Sequence, residues 1–251
     1  MVACSRVRAT SSPPPRRPAS GSAEAEARRV APAEPPGRPP GRPRRAALAA
    51  GTLLFRVYHL RHGLGAFKRS MSPATGSTQP GGGRFDGTVD QPYPFLYAGS
   101  TPGVAVAESL LRDAAFSDSG TRTVLRSLVA HLGCGALEVT RSLELVDLRG
   151  GRALAAIGAT AALVHCAERS YPVTRRWAHR LREWAPDAAG LVWRSRWEPD
   201  GDAYVLFGDR LDPEADLRAL SGQTRRTFDG ERGLRWLQAR LLEYHTDLRA
   251  G

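Results

Sequence analysis

Cysteine is scarce. Three occur in 251 residues, Cys4, Cys134 and Cys166, and no two form a CxxC pair. That spacing excludes a disulfide framework and a cysteine-based zinc site, and it suits a reducing, cytoplasmic setting. The six histidines are scattered, and none stands at metal-ligand spacing from a carboxylate or cysteine, so no metal is expected. No window approaches the ~20 consecutive apolar residues of a membrane span. No GxGxxG follows a strand and no GxSxG elbow is present, so neither a dinucleotide fingerprint nor a serine-hydrolase nucleophile is indicated.

Large apolar residues are nearly missing from residues 1–50, where Leu48 is the single Leu, Ile or Phe. The same segment holds 10 of the 19 prolines and ten arginines against three glutamates, so it carries +7 of the net +11. Such a composition cannot bury enough apolar surface to match chain entropy, which predicts a disordered Pro/Arg-rich tail over 1–50. The remaining 201 residues contain all five tryptophans and suffice for one well-buried domain over 51–251. A basic nucleic-acid-binding protein is a competing class. Most of the charge lies in the tail, however, and no recognised binding motif is present, so only nonspecific contact through the tail is expected.

Within 51–251 the pattern predicts an α+β domain. "TLLFRVYHL" reads as a first strand carrying Arg56, and a glycine-, serine- and proline-rich loop follows over 63–94. "PFLYAGS" reads as a short buried strand. Thr101 and Pro102 then form a helix start, with the hydroxyl as N-cap and proline at the first helical position, and the helix is expected to reach about Phe116. "TVLRSLVAHL", "GALEVT" and "LELVDLR" read as strands separated by turns, with a helical start as the alternative for the first, and "RALAAIGATAALVHCA" as partly helical. "YPVTRRWAHRLREW" places Val173, Trp177, Leu181 and Trp184 on one helical face. "AGLVWRSRW" and "AYVLFGDR" flank the turn "EPDGD", a hairpin signal. A last helix is expected over 231–249. Strands mixed with helices in this order indicate α+β rather than regular βαβ alternation.

Three residues do not fit a bland core. Glu108 shares a helix face with Val104, Leu111 and Ala115, so its carboxylate needs cationic or hydrogen-bonding partners, or a cavity. Arg84 follows three glycines, which let a backbone approach a ligand, and its guanidinium is a fork of donors suited to phosphate or carboxylate; a solvated loop tip is the plainer alternative. Ser195 lies between Arg194 and Arg196. Period-two alternation puts it on one strand face with Trp193 and Trp197, where core packing competes with a pocket role.

In order, Arg56, "GGRFD", "LYAGS", the glutamate of "AVAESLL" and the serine of "WRSR" resemble the RES domain, a family named for its arginine, glutamate and serine. The resemblance spans residues 53–210 and is most specific from the glycines through Tyr97 to Glu108. The chain carries Phe85-Asp86 where the family has Trp-Asn, and its loop between Arg56 and Arg84 is long. The resemblance implies the toxin of a bacterial toxin–antitoxin pair, with a fold similar to the ADP-ribosyltransferase toxins. It implies NAD⁺ as substrate, destroyed by phosphorolysis or hydrolysis, with phosphate as a co-substrate in the first case and no bound cofactor. Some members instead place ADP-ribose on a protein. The usual partner is a helix-turn-helix antitoxin that binds DNA and blocks the active site. Carried over by motif, Glu108, Arg56 and Ser195 are expected catalytic residues, and Arg84 and Tyr97 substrate-binding ones. Glu108 would stabilise an oxocarbenium-like ribose, the arginines would hold phosphate groups, Tyr97 would stack on nicotinamide and Ser195 would orient it.

Overall fold

A computed structural model describes residues 31–74, 81–112 and 114–250. Among them the chain forms a mixed α+β domain. The strands are β1 (Arg45–Leu48), β2 (Leu53–His59), β3 (Phe95–Gly99), β4 (Arg122–Leu125), β5 (Leu132–Val139), β6 (Leu143–Asp147), β7 (Gly190–Arg194), β8 (Asp202–Phe207), β9 (Leu217–Ala219), β10 (Arg226–Thr227) and β11 (Thr246–Arg249). The α-helices are α1 (Pro102–Leu110), α2 (Arg126–Val129), α3 (Gly151–Ala156), α4 (Ala162–His165), α5 (Tyr171–Trp184) and α6 (Glu231–Leu242). None is long and apolar enough to cross a membrane.

The main sheet runs β1-β6-β7-β8-β3-β2-β5-β10, with β9 also on β5, and β11 pairs with β4 in a separate ribbon. Only β6 and β7 are parallel within the main sheet. Its central strands are buried on both faces, so alternate residues enter different cores. Ala203, Val205 and Phe207 of β8 pack under α3, α4 and α5 with Trp177, Leu181 and Trp193. Tyr204 and Leu206 point to the opposite face, with Leu54, Leu96 and Leu137. A third cluster joins α1 and α6 through Val106, Leu111, Phe228, Leu237 and Leu241.

The β7–β8 hairpin, the strand β3 and the capped start of α1 match the expectations. Thr101 Oγ1 accepts the Val104 N–H at 3.1 Å, with Pro102 in the first turn. Four expectations are corrected. The tail expected over 1–50 is folded from residue 31 onward, while 1–30 lie outside the described residues. Arg45–Leu48 pairs with β6 and buries Leu48, and upstream of it Trp177 Nε1 donates to Ala33 O at 2.7 Å. Glu34 grips Arg176 at 2.5 Å, and Gly41 N–H donates to Ala156 O at 2.8 Å. These tertiary partners supply what the segment's composition lacks. Helix α1 stops at Leu110, where Leu111 turns into the third cluster. The last helix ends at Leu242, because His245 takes a left-handed φ of 50° and the chain re-enters as β11. Finally, β7 ends at Arg194, so Trp193 and Trp197 fall in different clusters rather than on one face.

Candidate active site

Strands β2 and β5 pair along seven residues, but β2 and β3 meet only where Phe55 lies opposite Gly99. They diverge from there, and a cleft of about 310 Å³ opens with Phe55, Arg56 and Val57 on one wall and Phe95, Tyr97 and Ala98 on the other. Helix α1 closes one side. It can approach β3 because Gly99 has no side chain, since a Cβ there would stand 2.8 Å from Ala105 N. That approach brings Glu108 to the cleft wall.

Among the described residues Glu108 is the only acid lining the cleft, beside four cations, Arg56, Lys68, Arg84 and Arg112. Its Oε1 accepts from Ser195 Oγ at 2.6 Å and from Arg196 N–H at 3.0 Å. The short first bond is charge-assisted and fixes the carboxylate plane. Among the described residues Oε2 accepts no hydrogen bond. Ser195 is fully buried and does not line the cleft. Its oxygen also accepts the N–H groups of Trp197 at 3.2 Å and Glu198 at 3.1 Å, which is why the strand ends one residue earlier. The expectation that Ser195 orients a ligand is therefore corrected: it stands behind Glu108 and holds it.

Arg84 is buried beneath the cleft floor at 5% exposure. Its guanidinium lies over the Tyr171 ring at 5.2 Å and reaches Cys166 O only at 3.4 Å. Its Nε is buried with no partner, and no carboxylate pairs with Arg84 among the described residues. A buried cation left so incompletely matched is costly unless an anion arrives. The loop that aims it is gripped by α5. Thr174 Oγ1 donates to Arg84 O at 2.6 Å, and Arg175, itself buried, donates to Gly81 O and to Gly83 O at 3.3 Å. Gly82 has a φ of +79°, the left-handed conformation that glycine adopts without strain.

Arg56 is the other first-named arginine. Its Nη1 donates to Leu64 O at 2.9 Å and Ala66 O at 2.7 Å, tying the long loop to β2. Desolvation lowers it to about 10, which leaves it a cation at neutral pH. Tyr97 offers its ring to the cleft while its hydroxyl is tied down, accepting Phe85 N–H at 2.8 Å and donating to Asp86 Oδ1 at 2.9 Å. Burial and then the Asp86 charge push that phenol well above its ordinary value, so it remains a donor. Asp86 also accepts from Ser72 Oγ at 2.9 Å and Gly83 N–H at 2.8 Å, with Lys68 at 3.7 Å.

The structure thus brings Arg56, Arg84, Tyr97 and Glu108 to one cleft and places Ser195 one bond away from it. Sequence reasoning passed over Tyr171, Trp193 and Lys68, which also line the cleft, and the supports Asp86 and Arg175. Asp86 stood inside the glycine loop already singled out. Tyr171 and Arg175 looked like ordinary members of an amphipathic helix and carried no signal.

No curated protein matches the chain. A solved structure, the crystal structure of the M. tuberculosis MbcT–MbcA toxin–antitoxin complex, is similar at 15% identity and a TM-score of 0.49, covering 79% of this chain and 91% of that one. The family model described as the RES domain matches residues 53–229, which takes in Arg56, Arg84, Tyr97, Glu108 and Ser195. The chain belongs to the RES domain family.

Proposed function

We propose that this protein cleaves the bond between nicotinamide and ribose in NAD⁺ and passes the ADP-ribosyl group to phosphate or water. One observation carries the reading. The cleft sets an anchored carboxylate, Glu108, beside a buried arginine, Arg84, that has no anionic partner among the described residues. As the glycosidic bond breaks, its electron pair goes to the pyridinium nitrogen and neutral nicotinamide leaves. Positive charge then develops on the ribose, as in glycoside hydrolysis. A carboxylate held in place by two donors stabilises that charge without reorganising. Arg84 and Arg56 supply positive charge for the phosphate groups. Among the described residues Glu108 is the only acid lining the cleft, and none of them offers a second carboxylate there to activate water. That fits phosphate, which arrives already anionic and whose oxygen forms the new bond to C1″, at least as well as activated water. Membership of the RES family supports a further reading, that the chain is the toxin of a toxin–antitoxin pair whose partner covers this cleft.

The test is incubation of the purified full-length protein with NAD⁺, with and without phosphate, and identification of products by mass. ADP-ribose 1″-phosphate, free ADP-ribose and a mass increment on the protein or a bystander distinguish phosphorolysis, hydrolysis and protein modification. Glu108→Gln should lower turnover on the order of 10²-fold while remaining folded. Intact NAD⁺ after incubation with wild type refutes the proposal, and a wild-type rate in the variant removes Glu108 from the mechanism.

A further inference from the structure

Beside the Glu108 cleft lies a second one, of about 340 Å³, that neither the family motifs nor the proposed chemistry uses. Its apolar surface comes from Leu148, Leu154 and Val164, and its polar groups are Arg149, His165 and Arg194. The two are linked through Cys166, whose carbonyl Arg84 of the first cleft approaches and which follows His165 of the second. His165 feels the charges of Arg84 and Glu108, which line the first cleft, and of Arg196.

The charges of the second cleft cancel internally. Arg149 binds Asp147 and Asp202, each at 3.0 Å, and Arg194 binds Asp202 at 3.0 Å. Burial, and then the Arg84 and Arg196 charges, lower His165, so its imidazole is neutral at pH 7. An apolar floor with a fixed, paired guanidinium and a neutral imidazole suits a flat uncharged heterocycle rather than an anion. Between the clefts the situation is reversed. Arg84 and Arg196 both reach toward Cys166 O, at 3.4 and 3.2 Å, and among the described residues neither is paired with a carboxylate. The arrangement is therefore a carboxylate cleft, two cations near its edge, and a charge-balanced apolar cleft with one imidazole.

We infer that the second cleft receives the adenosine end of the dinucleotide, with Arg84 and Arg196 holding the pyrophosphate between the two clefts. This rests on the reading that NAD⁺ occupies the Glu108 cleft, and it adds Arg196 as a pyrophosphate-binding residue.

Thr160 lines the second cleft and is exposed, so Thr160→Trp fills the space without disturbing a core, which a thermal melt checks. ADP-ribose titrated calorimetrically should bind Thr160→Trp at least tenfold more weakly than wild type. Nicotinamide mononucleotide, which lacks the adenosine end, should bind both within twofold. Ala161→Trp, at the neighbouring exposed position, should repeat the result. Equal ADP-ribose affinity in wild type and both variants, absence of ADP-ribose binding to wild type, or an equal loss for the mononucleotide overturns the inference. Wild type that binds ADP-ribose with this sensitivity yet leaves NAD⁺ intact refutes the cleavage reading and leaves the second cleft's assignment standing.

Discussion

Replacing Ser195 by alanine removes one hydroxyl that serves three partners at once. Its bond to Glu108 Oε1 at 2.6 Å is charge-assisted, a class that contributes about 1.5–3 kcal/mol. The N–H groups of half-buried Trp197 and Glu198 lose their acceptor, at about 0.5–1.5 kcal/mol each. A total near 3 kcal/mol is reasonable, and for a domain of this size that lowers the Tm by about 6–12 °C. Catalysis should suffer separately. Glu108 keeps only the Arg196 N–H and can rotate away from the ribose, and if half of the lost bond energy acted in the transition state, kcat falls about tenfold. KM should hold within twofold, because Ser195 does not reach the cleft. Calorimetry and steady-state NAD⁺ consumption on one preparation measure both effects. A destabilised variant with unchanged kcat refutes the idea that Ser195 positions Glu108. A raised KM with preserved kcat would instead put Ser195 in contact with substrate.

Two other outcomes follow from the packing. A chain starting at residue 51 loses β1, Leu48 and the Trp177–Ala33 and Arg176–Glu34 contacts and should melt several degrees below the full-length protein, read by scanning calorimetry; an unchanged melt would refute the role given to this segment. His179 is buried against Thr88 Oγ1 at 3.0 Å, and desolvation lowers it to about 4. Its folded pKa lies below the unfolded ~6.5, so the unfolded chain binds the proton first. The stability held by the neutral ring is complete above pH 6.5 and is lost as pH falls toward 4, by roughly 2–4 kcal/mol. His179→Asn should therefore lose less stability than wild type between pH 6.5 and 4.5 in urea titrations, and parallel curves would refute the assignment.

Local signals were the legible ones. Thr101-Pro102 fixes the start of α1 because cap and proline act within one turn, and the β7–β8 hairpin was visible in its turn residues. Strand β1 was not visible, because four residues inside a proline-rich stretch draw their stability from β6, about 100 positions away. The same reasoning separates the site residues. Arg56, Arg84, Tyr97 and Glu108 stood out through motif order and an acid among apolar neighbours. The supporting roles of Asp86, Arg175 and Ser195 consist of contacts between distant segments, which composition and periodicity do not encode. Ser195 shows the limit most clearly: alternation assumed a strand that its own side chain terminates.

The bond between Ser195 and Glu108 spans 87 residues of chain. During synthesis the carboxylate emerges first, and at translation rates of ~5–20 residues per second its anchor follows about 4–17 s later. The second arm of the anchor, the Arg196 N–H, comes later still, and the grip of α5 on the Arg84 loop also depends on segments made well after that loop. A nascent chain therefore carries every motif of the cleft before it can assemble the cleft. On the proposed reading, NAD⁺ around the ribosome that makes this enzyme is spared until the segment through Arg196 has emerged and folded.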